Sequence, residues 1–90
     1  MAESPQDMYL RYGYKSYLSG DFRESIKYFK NYLKSDKSNY AVYLYISYAY
    51  EGLYKKTEKS GYLDSAKEFA DYAQKLAPEN EYVKEQVSDL

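Results

Sequence analysis

The 90-residue chain contains neither Cys nor His, which removes disulfides, the commonest metal ligands and the usual nucleophile–base pairs. A net charge of −1 with 30% charged residues argues against a surface that neutralises nucleic-acid phosphates or an anionic bilayer. One small core is the most this length allows, and neither an apolar run of about 20 residues nor a signal-like n- and h-region occurs, which favours a soluble, cytoplasmic chain without a membrane partner.

In chain order, Ser4, Pro5 and Asp7 give an N-cap, a first-turn proline and a carboxylate three residues after the cap, predicting a helix from Pro5 to about Ser19. Tyr9, Tyr12, Gly13, Ser16 and Tyr17 share one face of it, with Gly13 and Ser16 leaving room for a neighbour, and Gly20 follows as a C-terminal stop. Asp21 and Glu24 have capping-box spacing, and Phe22, Ile26, Phe29 and Leu33 mark the apolar stripe of a second helix ending near Ser35. The short turn between them predicts an antiparallel hairpin with Lys27, Lys30 and Lys34 as an exposed stripe.

Ser38 and Asn39 can cap a third helix from Tyr40, whose stretch to Tyr50 holds no charge and so belongs between neighbours. Alternation of Tyr43, Tyr45 and Ser47 with Leu44, Ile46 and Tyr48 also permits a strand, but a lone strand would have nothing to pair with. Glu51 to Ser60 reads as irregular, with Gly52 weakening the helix and Lys55, Lys56 and Lys59 in a solvated tip. From Tyr62 to Leu76, Leu63, Ala66, Phe69, Ala70, Ala73 and Leu76 form another helical face that Pro78 stops. Asn80 can cap a last helix with Tyr82, Val83 and Val87 inward.

The two halves repeat one plan, the signature of a helical solenoid. In the first, Tyr9, Tyr12, Gly13 and Tyr17, the turn Gly20-Asp21-Phe22, and Glu24, Ser25, Ile26 and Phe29 resemble the tetratricopeptide repeat; in the second, Tyr43, Ile46, Ser47, Tyr50, the run Gly61 to Ala66, Ala73, and Leu76 to Asn80 do so. The resemblance implies an all-α fold of about five helices stacked as antiparallel hairpins: repeat 1 over 5–36, repeat 2 over 39–78 and a C-terminal helix over 80–90. Lys37 replaces the first repeat's closing proline, and Tyr32 its usual small residue, so the first hairpin should pack wider there or turn that ring outward. The second repeat is about seven residues longer, close to two helical turns; Leu53 and Tyr54 should pack on a matching extension before Gly61, below a protruding lysine-rich tip.

Fifteen residues are tyrosine, ten of them within Met8–Leu18 and Tyr40–Tyr54, the predicted first helices of the two hairpins. Tyrosine offers a rigid ring and a hydroxyl at low entropic cost. The family resemblance implies a concave wall formed by those helices, here Leu10, Tyr14, Tyr17, Leu18, Ala41, Leu44, Tyr45 and Tyr48. Some relatives grip a C-terminal carboxylate there with Lys, Asn and Arg; Leu10, Tyr14 and Tyr45 occupy the corresponding positions, so that ligand is not expected. Tyr9, Tyr12, Tyr43 and Tyr50 are better explained as packing residues. An uncharged aromatic groove suits a peptide or partner helix, and two hairpins are few enough for self-association to cover exposed faces. No phosphate loop, serine elbow or paired carboxylates point to catalysis, and no cofactor is implied. Base stacking on tyrosines beside Lys55, Lys56 and Lys59 is the weaker reading.

Overall fold

The computed structural model describes residues 2–90, in five helices: α1 (Pro5–Leu18), α2 (Phe22–Leu33), α3 (Tyr40–Thr57), α4 (Ser60–Leu76) and α5 (Glu81–Asp89). The fold is all-α, and no described residue lies in a strand. Nor is any of the five helices long and apolar enough to cross a membrane.

Local chemistry sets most of the boundaries. The Asp7 N–H donates to Ser4 Oγ at 3.1 Å, and the N–H groups of Ala41 and Val83 donate to the side chains of Asn39 and Asn80, each at 3.1 Å, so three helix starts carry a side-chain cap. Gly20, at φ +79°, ends α1: its N–H reaches the Tyr17 carbonyl and that of Asp21 reaches Ser16, a double closure that needs the left-handed conformation. The capping box expected at Asp21 does not form, because its side chain makes no cap hydrogen bond. The α2 helix also stops two residues short of Ser35.

The segment 51–60 departs most from expectation. The α3 helix runs unbroken through Gly52 to Thr57 and ends on Glu58 in the left-handed region. Gly52 is the seat of the Phe22 ring, whose edge occupies the space a Cβ would need; packing outweighs the roughly 1 kcal/mol propensity cost of a helical glycine. The added length of the second hairpin is shared between both helices, α3 having 18 residues against 14 in α1, and α4 having 17 against 12 in α2. Each gains about one turn. Only Glu58 and Lys59 remain between them, so the exposed end of this hairpin is a tight turn between helices and not an irregular segment. Leu53 is buried as expected, and Gly61 lies inside the first turn of α4. Lys56 reaches across to the first hairpin, donating to the Gly20 carbonyl at 2.8 Å with its ammonium 4.9 Å from the Phe22 ring centre.

The α1–α2 and α3–α4 pairs pack closely, α2 lies on α3, and α5 closes on α4. Side-chain contacts sort the helices into two layers. Tyr14 meets Tyr45, and Gln86 meets Ser47, which places α1, α3 and α5 side by side; Lys30 lies over Phe69, and Arg23 over Tyr62, which places α2 beside α4. The slab measures 41 × 31 × 18 Å, two helices thick. Its main core is Ile26, Phe29, Leu33, Val42, Ile46 and Leu53 with their neighbours, and a smaller one joins Leu44, Ala73 and Val83.

Two serines repeat a device between the hairpins. Ser25 Oγ donates to the Gly13 carbonyl at 3.0 Å, and Ser47 Oγ to that of Ala66 at 2.7 Å, so each hairpin is pinned by a buried hydroxyl. Gln86 adds donations to Ser47 Oγ and Glu51 Oε1, tying α5 to α3. Tyr32 does not turn outward. Its ring is buried, and its hydroxyl donates to Asp36 at 2.9 Å while accepting from Asn39 at 3.2 Å. A large side chain fits because its polar end is satisfied in the α2–α3 connection.

Candidate functional site

Tyr14 and Tyr17 leave α1 three residues apart, and Tyr45 and Tyr48 leave α3 with the same spacing, so each pair lies on one helical face. Packing of the layers brings the pairs together. Tyr45 stands at the centre: its ring centroid is 4.8 Å from Tyr14, 5.4 Å from Tyr17 and 5.5 Å from Tyr48, with interplanar angles of 85°, 89° and 85°. Below them lies Phe29, fully buried, 5.2 Å from Tyr14 and 6.1 Å from Tyr45. Phe29 sits there because Gly13 leaves it space; a Cβ on Gly13 would stand 2.6 Å from the ring. Phe22 supports Tyr17 at 5.6 Å in the same way.

All four tyrosines are half-buried. None of their hydroxyls has a hydrogen-bond partner among the described residues, yet no side-chain oxygen is both buried and unpaired, so these four remain open to water. Burial, followed by the proximity of Tyr45, raises the ionisation of Tyr14 and Tyr17 above the ordinary phenol value. Tyr48 is raised by burial first, then by Tyr17, Tyr45, Glu85 and Glu51. Around neutral pH Tyr14, Tyr17 and Tyr48 are therefore neutral hydroxyls.

The wall continues into a cavity of about 250 Å³ between α3 and α5, lined by Tyr40, Ala41, Leu44, Tyr45, Tyr48, Asn80 and Tyr82. Of the eight residues expected to form one surface, Tyr14, Tyr17, Tyr45 and Tyr48 form one connected group through Tyr45, and Ala41 joins the last two at the cavity. Leu44 is only 6% exposed, forming the cavity floor as part of the second core. Leu10 packs against the main core. Leu18, at 83% exposure, projects into solvent at the end of α1.

Tyr40, Asn80 and Tyr82 were not legible as site residues. Asn80 reads as a cap, which it is, but its amide also donates to the Tyr40 hydroxyl at 3.1 Å. Tyr82 was expected to face inward and is instead 71% exposed; its position follows from how α5 docks, where Gln86 takes the buried place. The spacing of Val83 and Gln86 is helical, and treating Gln86 as buried would have turned Tyr82 outward.

A second aromatic group lies on the opposite side of α3. Tyr43 and Tyr50, two turns apart, pack with Phe69, Tyr72 and Tyr62 at centroid distances of 5.7 to 6.2 Å. Lys30, expected in an exposed stripe, donates to the Tyr50 hydroxyl at 2.8 Å and lies 5.4 Å from the centres of both Tyr50 and Phe69. Tyr12, also expected in the core, packs instead on Tyr28 at 5.5 Å, with Arg11 over it. Compared with models of known families and with curated proteins, the sequence matches none.

Proposed function

We propose that this chain is a non-catalytic protein-interaction module, similar to a short tetratricopeptide-repeat array, that takes a protein segment on the Tyr14–Tyr17–Tyr45–Tyr48 wall. The observation that carries the reading is the contrast between contact and satisfaction: four rings are joined through Tyr45, yet their hydroxyls bond to nothing among the described residues. Buried tyrosine normally finds a partner for its hydroxyl, and a half-open row of unspent donors suits a ligand that completes them. The hairpin order, the turn at Gly20 and the small residues Gly13, Ser47 and Ala73 at the helix contacts agree with the resemblance seen in the sequence.

Selection from an unbiased peptide library, followed by mapping of the selected peptide on tyrosine ring resonances, tests this reading. Perturbations should centre on Tyr14, Tyr17, Tyr45 and Tyr48 and extend to Tyr40 and Tyr82. Peptides that map to other residues, or a library that yields none, would remove the wall as a binding surface.

A second reading, self-association, is favoured by Leu18 and Tyr82, large apolar side chains exposed beside the same layer. A sedimentation mass that rises with concentration, and that falls on Leu18→Ser or Tyr82→Ser substitution, supports it; a monomer at high micromolar concentration excludes it.

A further inference from the structure

The geometry points to a proline-rich segment in polyproline II conformation as the occupant of the Tyr14–Tyr17–Tyr45–Tyr48 wall, an inference that rests on the peptide-binding reading above. The first argument is hydrogen-bond complementarity. The wall offers phenolic donors and no backbone edge, because its backbone groups belong to helices. An α-helical ligand spends its carbonyls internally, and a β-strand needs a sheet edge to pair with. Each proline lacks an N–H to satisfy, and a polyproline II chain leaves its carbonyls without internal bonds, so it presents the acceptors these hydroxyls lack.

Shape gives the second argument. Tyr45 stands nearly perpendicular to Tyr14, Tyr17 and Tyr48, so the surface alternates ring faces with ring edges, against which compact pyrrolidine rings can pack. The steps of 4.8 Å from Tyr14 to Tyr45 and 5.5 Å from Tyr45 to Tyr48 each cover between one and two residues of a polyproline II helix at about 3.1 Å per residue. The α3–α5 cavity, floored by Leu44, leaves room beyond Tyr48 for a further side chain.

Charge is the third. No Lys or Arg lies over any of the four rings, and Glu85 and Glu51 lie close enough to Tyr48 to disfavour negative charge on it. An acidic ligand is therefore disfavoured, and an uncharged one, already ordered before it binds, loses little entropy on docking.

The test is a titration of the 90-residue protein, followed by tyrosine ring resonances, with an oligoproline of roughly ten residues, about three turns. An amphipathic helical peptide of equal length is the comparison probe. Oligoproline should saturate, with shifts at Tyr14, Tyr17, Tyr45 and Tyr48. Tyr45→Phe keeps the ring and loses the donor, so affinity should fall about three- to tenfold, while Tyr43→Phe on the opposite side of α3 should leave it unchanged. Thermal melting of each variant shows whether it is folded. If the helical peptide shifts the same resonances and oligoproline does not, the polyproline assignment fails and the interaction reading stands. If neither binds and the chain is monomeric, both fail. Self-association that oligoproline cannot displace assigns the wall to a second copy and also overturns the proposal. Equal affinity for the Tyr45→Phe protein would remove hydroxyl donation as its basis.

Discussion

Tyr45 and Tyr48 leave α3 toward α1, whereas Tyr43 and Tyr50 leave it toward α4, and the two groups meet opposite chemical fates. On the α4 side the Tyr43 hydroxyl donates to the Lys37 carbonyl at 3.0 Å, Tyr50 accepts from Lys30, and Tyr72 lies near Glu68. Cations also cover the rings there: Arg23 over Tyr62, Lys30 over Tyr50 and Phe69, and Lys75 over Tyr72. Tyr14, Tyr17, Tyr45 and Tyr48 themselves have no such cation over their rings and no such hydrogen bond among the described residues. The same residue type thus serves as mortar where its polar end is used internally, and forms a candidate surface where that end is left to solvent.

The largest effect comes from removing what the wall stands on. Phe29→Ala deletes the fully buried ring beneath Tyr14 and Tyr45 and should cost about 3–5 kcal/mol, read as a lowered urea midpoint. If the loss were below about 1 kcal/mol, the wall would not depend on Phe29 as its foundation. Next in size is the difference between the two groups on removal of hydroxyls alone. Tyr43→Phe and Tyr50→Phe should each destabilise by about 0.5–1.5 kcal/mol, toward the lower end because both bonds are exposed. Tyr14→Phe and Tyr45→Phe should stay within about 0.5 kcal/mol of wild type, since no intramolecular bond is lost. Equal costs in the two groups would erase the distinction.

Much of the fold was legible because it is written in local signals. Caps at Ser4, Asn39 and Asn80, the glycine stop at Gly20 and the 3.6-residue stripe of α2 each determine a boundary or a face without reference to the rest of the chain. The errors arose where distant residues decide. Gly52 looks like a weak point until Phe22 is seen to fill its place; Lys30 and Lys56 are exposed as read, but their partners, Tyr50 and the Gly20 carbonyl, lie on the opposite hairpin. The candidate site was half readable for the same reason. Spacing alone puts Tyr14 with Tyr17 and Tyr45 with Tyr48, but the burial of Leu44, the solvent position of Leu18 and the contribution of Tyr82 depend on how α5 and α1 dock. Periodicity names the face of a helix; it does not say how far a neighbour covers it.

The smallest effect at neutral pH is read by titrating the wall. For Tyr14, Tyr17 and Tyr48, burial raises the folded-state ionisation above the ordinary phenol value of about 10. The unfolded chain then releases these protons first as pH rises. Above about pH 10 the unfolded state holds fewer protons than the folded one, so unfolding stability falls with rising pH. The contribution is fully present below the unfolded value and is lost as pH climbs through the raised folded values. Phenolate absorbance should show these three tyrosines ionising later in the folded protein than in urea. Replacing all three by Phe should remove their share of the alkaline fall in stability while leaving the neutral-pH value nearly unchanged. A ligand that accepts hydrogen bonds from these hydroxyls should delay their ionisation further, because it binds only the protonated wall. An occupant that contacts the rings without accepting from the hydroxyls would lack this hydrogen-bond contribution, so its delay should shrink to what burial alone provides.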